Sequence, residues 1–283
     1  MLVSRGQDGV TRRELLRIAT GLGVLAAHST LQGAIGEAAR TTRSAAPSPI
    51  AELHLLTSAT LESMQRFYGS ALGLPVSTAG NRLTIDAGES RIVFERAGGT
   101  VHPFYHFAFN IPENKIEAAR TFQLSRSPLL PIPERLRDPR YPPDVVDYRH
   151  WNAHSVFFLD PGGNVAEYIA RHDLRNARPG AFTPEDILCV SEIGLVVDDV
   201  RRAADRLSEA LGWSVYRNAS DSFTAIGDER GLILVFRRGR ILNFQPDSQE
   251  KAARVFPTKV ALRSRSAAAV QLVGFPYDVR SGS

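Results

Sequence analysis

The sequence predicts an α+β protein in which a β-α-β-β-β unit is repeated and paired units close a cup-shaped mixed sheet. Three observations predict this fold class. Short runs of alternating apolar residues, typical of half-buried strands, flank segments with apolar residues at helical spacing. The tripeptide Ala-Leu-Gly ends a helix at 71–73 and returns at 210–212. A turn over 160–164 divides two apolar strands.

The first unit is predicted over about residues 50–100. Residues 51–58 alternate as a strand, and apolar residues at 61, 64, 67–68 and 71–72 share one face of a helix that ends at Gly73. Short strands over 83–88 and 91–97 follow, and turn residues divide them. These segments give one complete β-α-β-β-β unit.

The second unit is predicted over about 104–171 and the third from 187 onward. A strand over 105–112, a helix over 113–124 and an insert rich in Pro and Arg over 127–144 precede the strands around the 160–164 turn. In the third unit a strand over 190–199 and a helix over 200–213 precede strands over 223–227 and 232–239. The segments 258–264 and 274–279 predict a short fourth copy, a C-terminal stub.

The order of these units predicts how they pair. We expect units one and two to form one paired domain over 50–173, followed by a linker over 174–186 and by the third unit with its stub over 187–283. The third unit then pairs either with the stub or with another chain. An unpaired sheet edge favours a partner, so the sequence is compatible with a homodimer.

Charge is concentrated at the N-terminus. Residues 1–46 carry six Arg and three acidic residues, whereas the remaining 237 residues carry 28 basic and 27 acidic residues. The body of the protein is therefore close to neutral, and it has no run of Lys and Arg that would follow a phosphate backbone. We expect no nucleic-acid partner.

The N-terminal segment 1–46 predicts an export signal and a flexible lead-in. The motif Thr11–Arg17 contains paired arginines followed by two leucines, and a weakly apolar run comes next. It resembles a twin-arginine signal, which implies export in the folded state to the periplasm or the medium. An amphipathic N-terminal helix or an uncleaved anchor is the alternative. Several glycines make the run a poor membrane span, so we expect no stable anchor after cleavage.

Four stretches carry a resemblance that spans about residues 50–245: 67–76, 106–112, 160–169 and 191–215. With these the sequence resembles the vicinal oxygen chelate superfamily of glyoxalases, bleomycin-resistance proteins and extradiol dioxygenases. The turn Asp-Pro-x-Gly-Asn-x-x-Glu that begins at Asp160 is the most specific of them. The resemblance implies the glyoxalase/bleomycin-resistance/dioxygenase fold, with a small-molecule substrate bound inside the cup.

The resemblance also implies a set of metal ligands. Metal-using members take ligands from the start of the first strand and the middle of the last strand of a unit. His106 and Glu167 hold these places in unit two, and His54 lies in the first strand of unit one. Two imidazoles and one carboxylate suit Fe(II), Mn(II) or Zn(II). The other interpretations are a hydrogen-bonded core histidine for His106 and an Arg-paired structural carboxylate for Glu167.

One spacing departs from the family pattern. The usual 19-residue count back from the leucine of Leu-Gly reaches Leu53 rather than His54 in unit one. Because strand side chains alternate, a shift of one residue turns a side chain to the other face unless a bulge restores it. The same count in unit three reaches Glu192. Unit three contains no histidine, so we expect no second metal site there, and Glu192 either forms a salt bridge or lines the surface of unit three.

The segment 148–155 is interpreted as a strand with polar side chains on one face. His154 and His150 are candidates for a catalytic acid or base beside the metal, or for a substitute ligand in place of His54. An exposed polar edge strand is the alternative. Arg96 and Arg171 each end a last strand, where they are candidates for binding an anionic substrate.

Two functions from different classes remain. The first is a metal-dependent dioxygenase, lyase or isomerase that acts on a substrate with two adjacent oxygens, which the metal polarises as a Lewis acid. The second is a metal-free protein that sequesters a small molecule, as bleomycin-resistance proteins do. A purely structural exported protein is a third interpretation. The fold alone does not choose among them.

Overall fold

Two mixed sheets make up the described part of the chain, residues 49–244 and 249–282 of this computed structural model. The export signal predicted over 1–46 lies outside these residues. The predicted α+β class with repeated β-α-β-β-β units is confirmed. None of the described helices combines the length and the apolar character that a membrane span needs.

The first unit follows the predicted order. Its elements are β1 (Ile50–Thr57), α1 (Leu61–Gln65) with a π-helical continuation over Arg66–Ala71, β2 (Val76–Ala79), β3 (Arg82–Ala87) and β4 (Ser90–Arg96). The hydroxyl of Thr60 caps α1 by accepting a hydrogen bond from the backbone N–H of Ser63. Gly73, predicted to end the helix, has a φ of +75°, which favours glycine.

The second and third units repeat this order. Unit two contains β5 (His106–Ile111), α2 (Ile116–Leu124), β6 (Val146–Tyr148), β7 (Ala153–Leu159) and β8 (Val165–Arg171). Unit three contains β9 (Cys189–Val197), α3 (Val200–Leu211), β10 (Val215–Ser220), β11 (Phe223–Asp228) and β12 (Gly231–Arg237). The C-terminal stub supplies β13 (Thr258–Arg263), β14 (Ala268–Val270) and β15 (Tyr277–Gly282). Short 3-10 turns lie at Glu134–Leu136, Arg149–Trp151, His172–Leu174, Pro184–Asp186 and Gln249–Lys251.

The pairing of the units differs from the expectation. One sheet has the order β14-β15-β13-β1-β4-β3-β2, and the other has β10-β11-β12-β9-β5-β8-β7-β6. Unit two therefore pairs with unit three through the antiparallel β5 and β9, and unit one pairs with the stub through β1 and β13. Within each unit the first strand is hydrogen-bonded along one edge to the last strand of the same unit. Only its other edge is available to pair with a strand of another unit.

The two sheets share one core and hydrogen-bond to each other. The Ser90 hydroxyl donates to the Ile50 carbonyl at 2.7 Å and accepts from the Val190 amide at 3.0 Å. The Tyr277 hydroxyl of the stub donates to the Val196 carbonyl at 2.6 Å. The described residues accordingly form one compact unit rather than two paired domains. The edge of unit three that suggested a homodimer is paired within the chain.

The segment predicted as a linker, 174–186, is docked rather than free. The Lys115 ammonium donates to the Ala181 carbonyl at 2.9 Å and to a carboxylate oxygen of Asp186 at 2.6 Å. Both charged side chains are buried. This ion pair holds the connection between β8 and β9 against the start of α2.

The turn between β7 and β8 depends on one buried carboxylate. Asp160 accepts hydrogen bonds from the Asn164 amide at 2.9 Å, the Asn164 side chain at 2.8 Å and the Tyr68 hydroxyl at 2.7 Å. Gly163 has a φ of +78°. The turn fixes the start of β8 at Val165, two residues before Glu167.

We expect Asp160→Ala to lower the free energy of unfolding by about 3 kcal/mol, because it leaves several buried donors without an acceptor. Urea denaturation followed by circular dichroism measures the change. Asp205→Ala, at an exposed position on α3, is the matched control. A loss for Asp160→Ala no larger than that of the control contradicts this account of the turn.

Candidate functional site

Three strands bring one imidazole and two carboxylates to the same face of the second sheet. β5 lies between β9 and β8, and Ala108 of β5 is in register with both Glu167 and Glu192. His106 lies two residues before Ala108, so its side chain shares a face with that residue. The strand register therefore gathers His106, Glu167 and Glu192.

The donor atoms of this cluster are close together. His106 Nε2 lies 3.5 Å from a Glu167 oxygen and 3.8 Å from a Glu192 oxygen. One ligand atom of each residue lies within 4.8 Å of the other two. The Nδ1–H of His106 donates to the Val165 carbonyl at 3.0 Å, which leaves the Nε2 lone pair directed at the carboxylates.

Glu167 and Glu192 are each only 1% exposed. Arg171, also fully buried, forms an ion pair with Glu192 and donates to the Asn110 side-chain oxygen at 3.3 Å. Burial and the neighbouring Glu192 charge raise the pKa of Glu167. Its Oε1 accepts no hydrogen bond of good geometry from a described residue, and the Ser155 hydroxyl, which opposes the rise in pKa, is the donor beside this carboxylate. Two buried carboxylates thus face one buried guanidinium, and the Oε1 atom of Glu167 is an acceptor without a well-placed donor.

This arrangement fits a divalent metal ion. Two atoms that each lie about 2.0–2.2 Å from a metal are about 3.0–3.5 Å apart at neighbouring positions. The observed separations of 3.5 and 3.8 Å therefore need only a small adjustment of the side chains. One imidazole and two carboxylates suit Fe(II), Mn(II) or Zn(II). An ion would also take up the unpartnered oxygen of Glu167.

The predicted ligand set is corrected at His54. His54 lies on β1 in the other sheet, where its Nε2 is 2.6 Å from a Glu52 oxygen and its side chain is 36% exposed. Leu53 and Leu55 point into the core instead, as the one-residue departure in spacing indicated. Glu192 takes the third place in the cluster.

Unit one has no polar counterpart of the site. Leu53 and Phe94 occupy the first-strand and last-strand positions that His106 and Glu167 hold in unit two, and both are fully buried. At the place where the second sheet carries His106 and Glu167, the first sheet therefore carries buried apolar side chains.

His154 does not line the cluster. The register of β7 pairs Phe157 with Glu167, so the alternating side chain of His154 points to the other face. There its Nδ1 lies 2.8 Å from His172 Nε2, and its ring packs on Tyr141 with centroids 4.1 Å apart. The predicted second-sphere role of His154 is therefore replaced by a packing role.

His150 does line the cavity, but from a turn. The predicted strand over 148–155 is broken because the chain forms a 3-10 turn at Arg149–Trp151 and Asn152 adopts a φ of 47°. Tyr148 closes β6 before the turn and also lines the cavity. The sequence gives little indication that the strand is broken here, because Asn152 is the residue in it that most readily adopts a positive φ.

A cavity of about 530 Å³ opens beside the cluster. Six aromatic residues line it: Tyr148, Trp151, Phe157, Phe223, Phe236 and Phe244. Gly194 lets Phe236 approach the sheet, because a Cβ there would lie 2.6 Å from that ring. His106, Glu167 and Glu192 form the polar part of the wall, and Arg135 and Arg240 also line the cavity. Its size is that of a small-molecule site.

The arginines predicted at the rim are placed differently. Arg171 is buried beneath Glu192, and Arg96 is exposed on the first sheet, where it donates to the Ala59 carbonyl at 3.0 Å. Sequence reasoning missed Arg135 and Arg240 because they lie in the insert and in the segment after β12, whose positions no periodic pattern specifies.

Comparison with known proteins shows the fold. No family model matches the chain, and no curated protein matches it. A candidate dioxygenase from Bacillus subtilis is 12% identical, with 83% of this chain and 86% of that chain covered and a TM-score of 0.51. A glyoxalase I variant from Zea mays is 15% identical, with 83% and 92% covered and a TM-score of 0.47. The likeness to the Bacillus subtilis structure shows a shared fold.

Proposed function

We propose that this protein is a metal-dependent enzyme that acts on a small substrate with two adjacent oxygens. One observation carries the proposal: His106, Glu167 and Glu192 converge in the wall of a small-molecule cavity, with one buried Glu167 oxygen left unpartnered. A divalent ion bound there would remove the cost of leaving a buried acceptor unpaired.

The chain's own residues supply the rest of the chemistry. A divalent ion, when bound, acts as a Lewis acid on the two substrate oxygens. Burial and the charges of Glu167 and Glu192 raise the pKa of Tyr148, so its phenol stays protonated and can donate a hydrogen bond to the substrate. His150, exposed at the cavity, is the candidate for proton transfer between the substrate and solvent.

A metal-free binding protein is the second candidate. The ion pair between Arg171 and Glu192 favours it, because it already neutralises one of the two carboxylates. The raised pKa of Glu167 favours it as well, since a protonated Glu167 needs no cation. In that case the aromatic cavity would hold a ligand without chemical change.

Turnover after metal reconstitution tests the proposal. Protein stripped with a chelator is loaded with Fe(II), Mn(II) or Zn(II) and assayed on catechols by oxygen uptake, and on hemithioacetals and hydroxyketones by product formation. We expect turnover with one of these ions, lost on renewed chelation and absent in Glu167→Gln. The matched control is Glu95→Gln, which alters a half-buried carboxylate on β4 in the other sheet.

A protein that takes up none of the three ions, yet binds an aromatic ligand equally well with and without Glu167→Gln, would replace this proposal with the metal-free binder.

A further inference from the structure

Two cationic side chains of the cavity have no anionic partner in the part of the chain that the structure describes. Arg135 and Arg240 both line the cavity, and the one polar side-chain contact of the pair among the described residues is that of Arg240 with the Ser222 hydroxyl. The neighbouring Arg149 differs, because it pairs with Asp147 at 2.7 Å. Arg171 is likewise matched by Glu192. Among the residues that the structure describes, no carboxylate neutralises the charge of either arginine.

Arg240 is held in a way that leaves its hydrogen-bonding edge available. Its guanidinium carbon lies 5.2 Å from the centroid of the Phe223 ring and 5.9 Å from that of Phe236. Its one polar contact among the described residues is a long one, 3.5 Å, to the Ser222 hydroxyl. Aromatic rings stabilise the face of a guanidinium, whereas its N–H groups lie in the plane and suit a carboxylate.

The charged and the metal-binding parts of the cavity are close enough to serve one ligand. The Phe236 ring lies between them: its centroid is 5.8 Å from that of the His106 ring and 5.9 Å from the guanidinium carbon of Arg240. The rings of Tyr148 and Trp151, 5.6 Å apart, extend the aromatic surface of the same cavity.

The two ends of this cavity differ in how deeply their polar residues are buried. Glu167 and Glu192 are almost completely buried, whereas Arg135 and Arg240 are exposed. A ligand that binds the carboxylate cluster at its inner end thus extends past aromatic side chains toward arginines at the solvent-facing end.

We propose that the substrate is a planar aromatic compound that carries, away from its two adjacent oxygens, a carboxylate or a similar anionic group bound by Arg240 with the help of Arg135. The part of this inference that concerns the two oxygens rests on the proposed function. The part that concerns the anionic group rests on the arginines and the aromatic cavity alone.

A matched pair of probes tests the anionic group. Binding of 3,4-dihydroxybenzoate and of 4-methylcatechol is measured by quenching of tryptophan fluorescence, since Trp151 lines the cavity. Zn(II)-loaded protein and chelator-treated protein are both titrated. We expect the carboxylate compound to bind at least about tenfold more tightly, the size of a hydrogen bond to a charged group, with the advantage shrinking as NaCl is added.

Arg240→Met should reduce this preference to about twofold or less and leave the affinity for 4-methylcatechol unchanged. Arg135→Met should reduce it in part. Arg237→Met is the control, because it removes the same charge from an exposed position three residues away that does not line the cavity.

Equal affinities for the two probes in the unaltered protein would overturn the inference, as would a preference that survives the double variant Arg135→Met/Arg240→Met. Metal content is determined separately. A protein without metal that still prefers the carboxylate compound supports the anion site while the proposed enzyme function fails. A protein with metal and no preference refutes the anion site alone.

Discussion

His106→Ala is expected to bind its divalent metal at least about a hundredfold more weakly than the unaltered protein and to lose metal-dependent turnover. The substitution removes the nitrogen that faces both carboxylates, at 3.5 Å from Glu167 and 3.8 Å from Glu192. Titration with a competing chromophoric chelator measures the affinity, and mass spectrometry of the purified protein measures the metal content.

His54→Ala is the matched control for this experiment. It removes the histidine that the sequence resemblance implied as a ligand, but that the structure places on the other sheet beside Glu52. We expect its metal affinity to be unchanged within about twofold. Metal loss in His54→Ala with retention in His106→Ala would contradict the assignment of the site.

Arg171→Met is expected to lower the free energy of unfolding by about 3–5 kcal/mol, since it leaves buried Glu192 and Glu167 without a cation. The guanidinium is fully buried and lies 5.4 Å from the Trp151 ring, so its packing is lost as well. Denaturant titration of metal-free protein measures this change without a contribution from metal binding.

The double variant Arg171→Met/Glu192→Met should regain a large part of the lost stability, because it removes both members of the ion pair. Arg96→Met, at the end of β4, removes an exposed arginine and should change stability by less than about 0.5 kcal/mol. Equal losses for Arg171→Met and Arg96→Met would show that the buried pair is unimportant for the fold.

Local sequence patterns were sufficient for the elements of the fold. The alternation in β1, the mostly apolar runs of β5 and β9 and the helical spacing in α1 and α3 depend on neighbours in the sequence, so they could be recognised without tertiary information. The turn 160–164 likewise indicated the hairpin of β7 and β8. The resemblance then implied His106 and Glu167, which the structure brings within 3.5 Å of each other.

The pairing of units could not be predicted in this way. The edges of β1, β5 and β9 offer the same backbone groups, and nothing local specifies which first strand lies beside which. The expected pair of units one and two would have brought His54 toward His106. The observed pair of β5 and β9 brings Glu192 there instead, in register with Ala108.

The 19-residue count typical of the family nevertheless reached Glu192 in unit three. Glu192 forms a salt bridge with Arg171, which is one of the roles expected for it. What the sequence did not show is that the same carboxylate also faces His106. A side chain with two oxygens can serve both partners, and only the three-dimensional arrangement shows that it does.

Anomalous diffraction from a crystal grown with the metal that supports turnover tests the central claim most directly, because it locates the ion without reference to activity. We expect one anomalous peak per chain, between His106 Nε2 and the carboxylates of Glu167 and Glu192. A peak at His54, a peak beside the pair of His154 and His172, or metal-loaded crystals with no peak among His106, Glu167 and Glu192 would contradict the account.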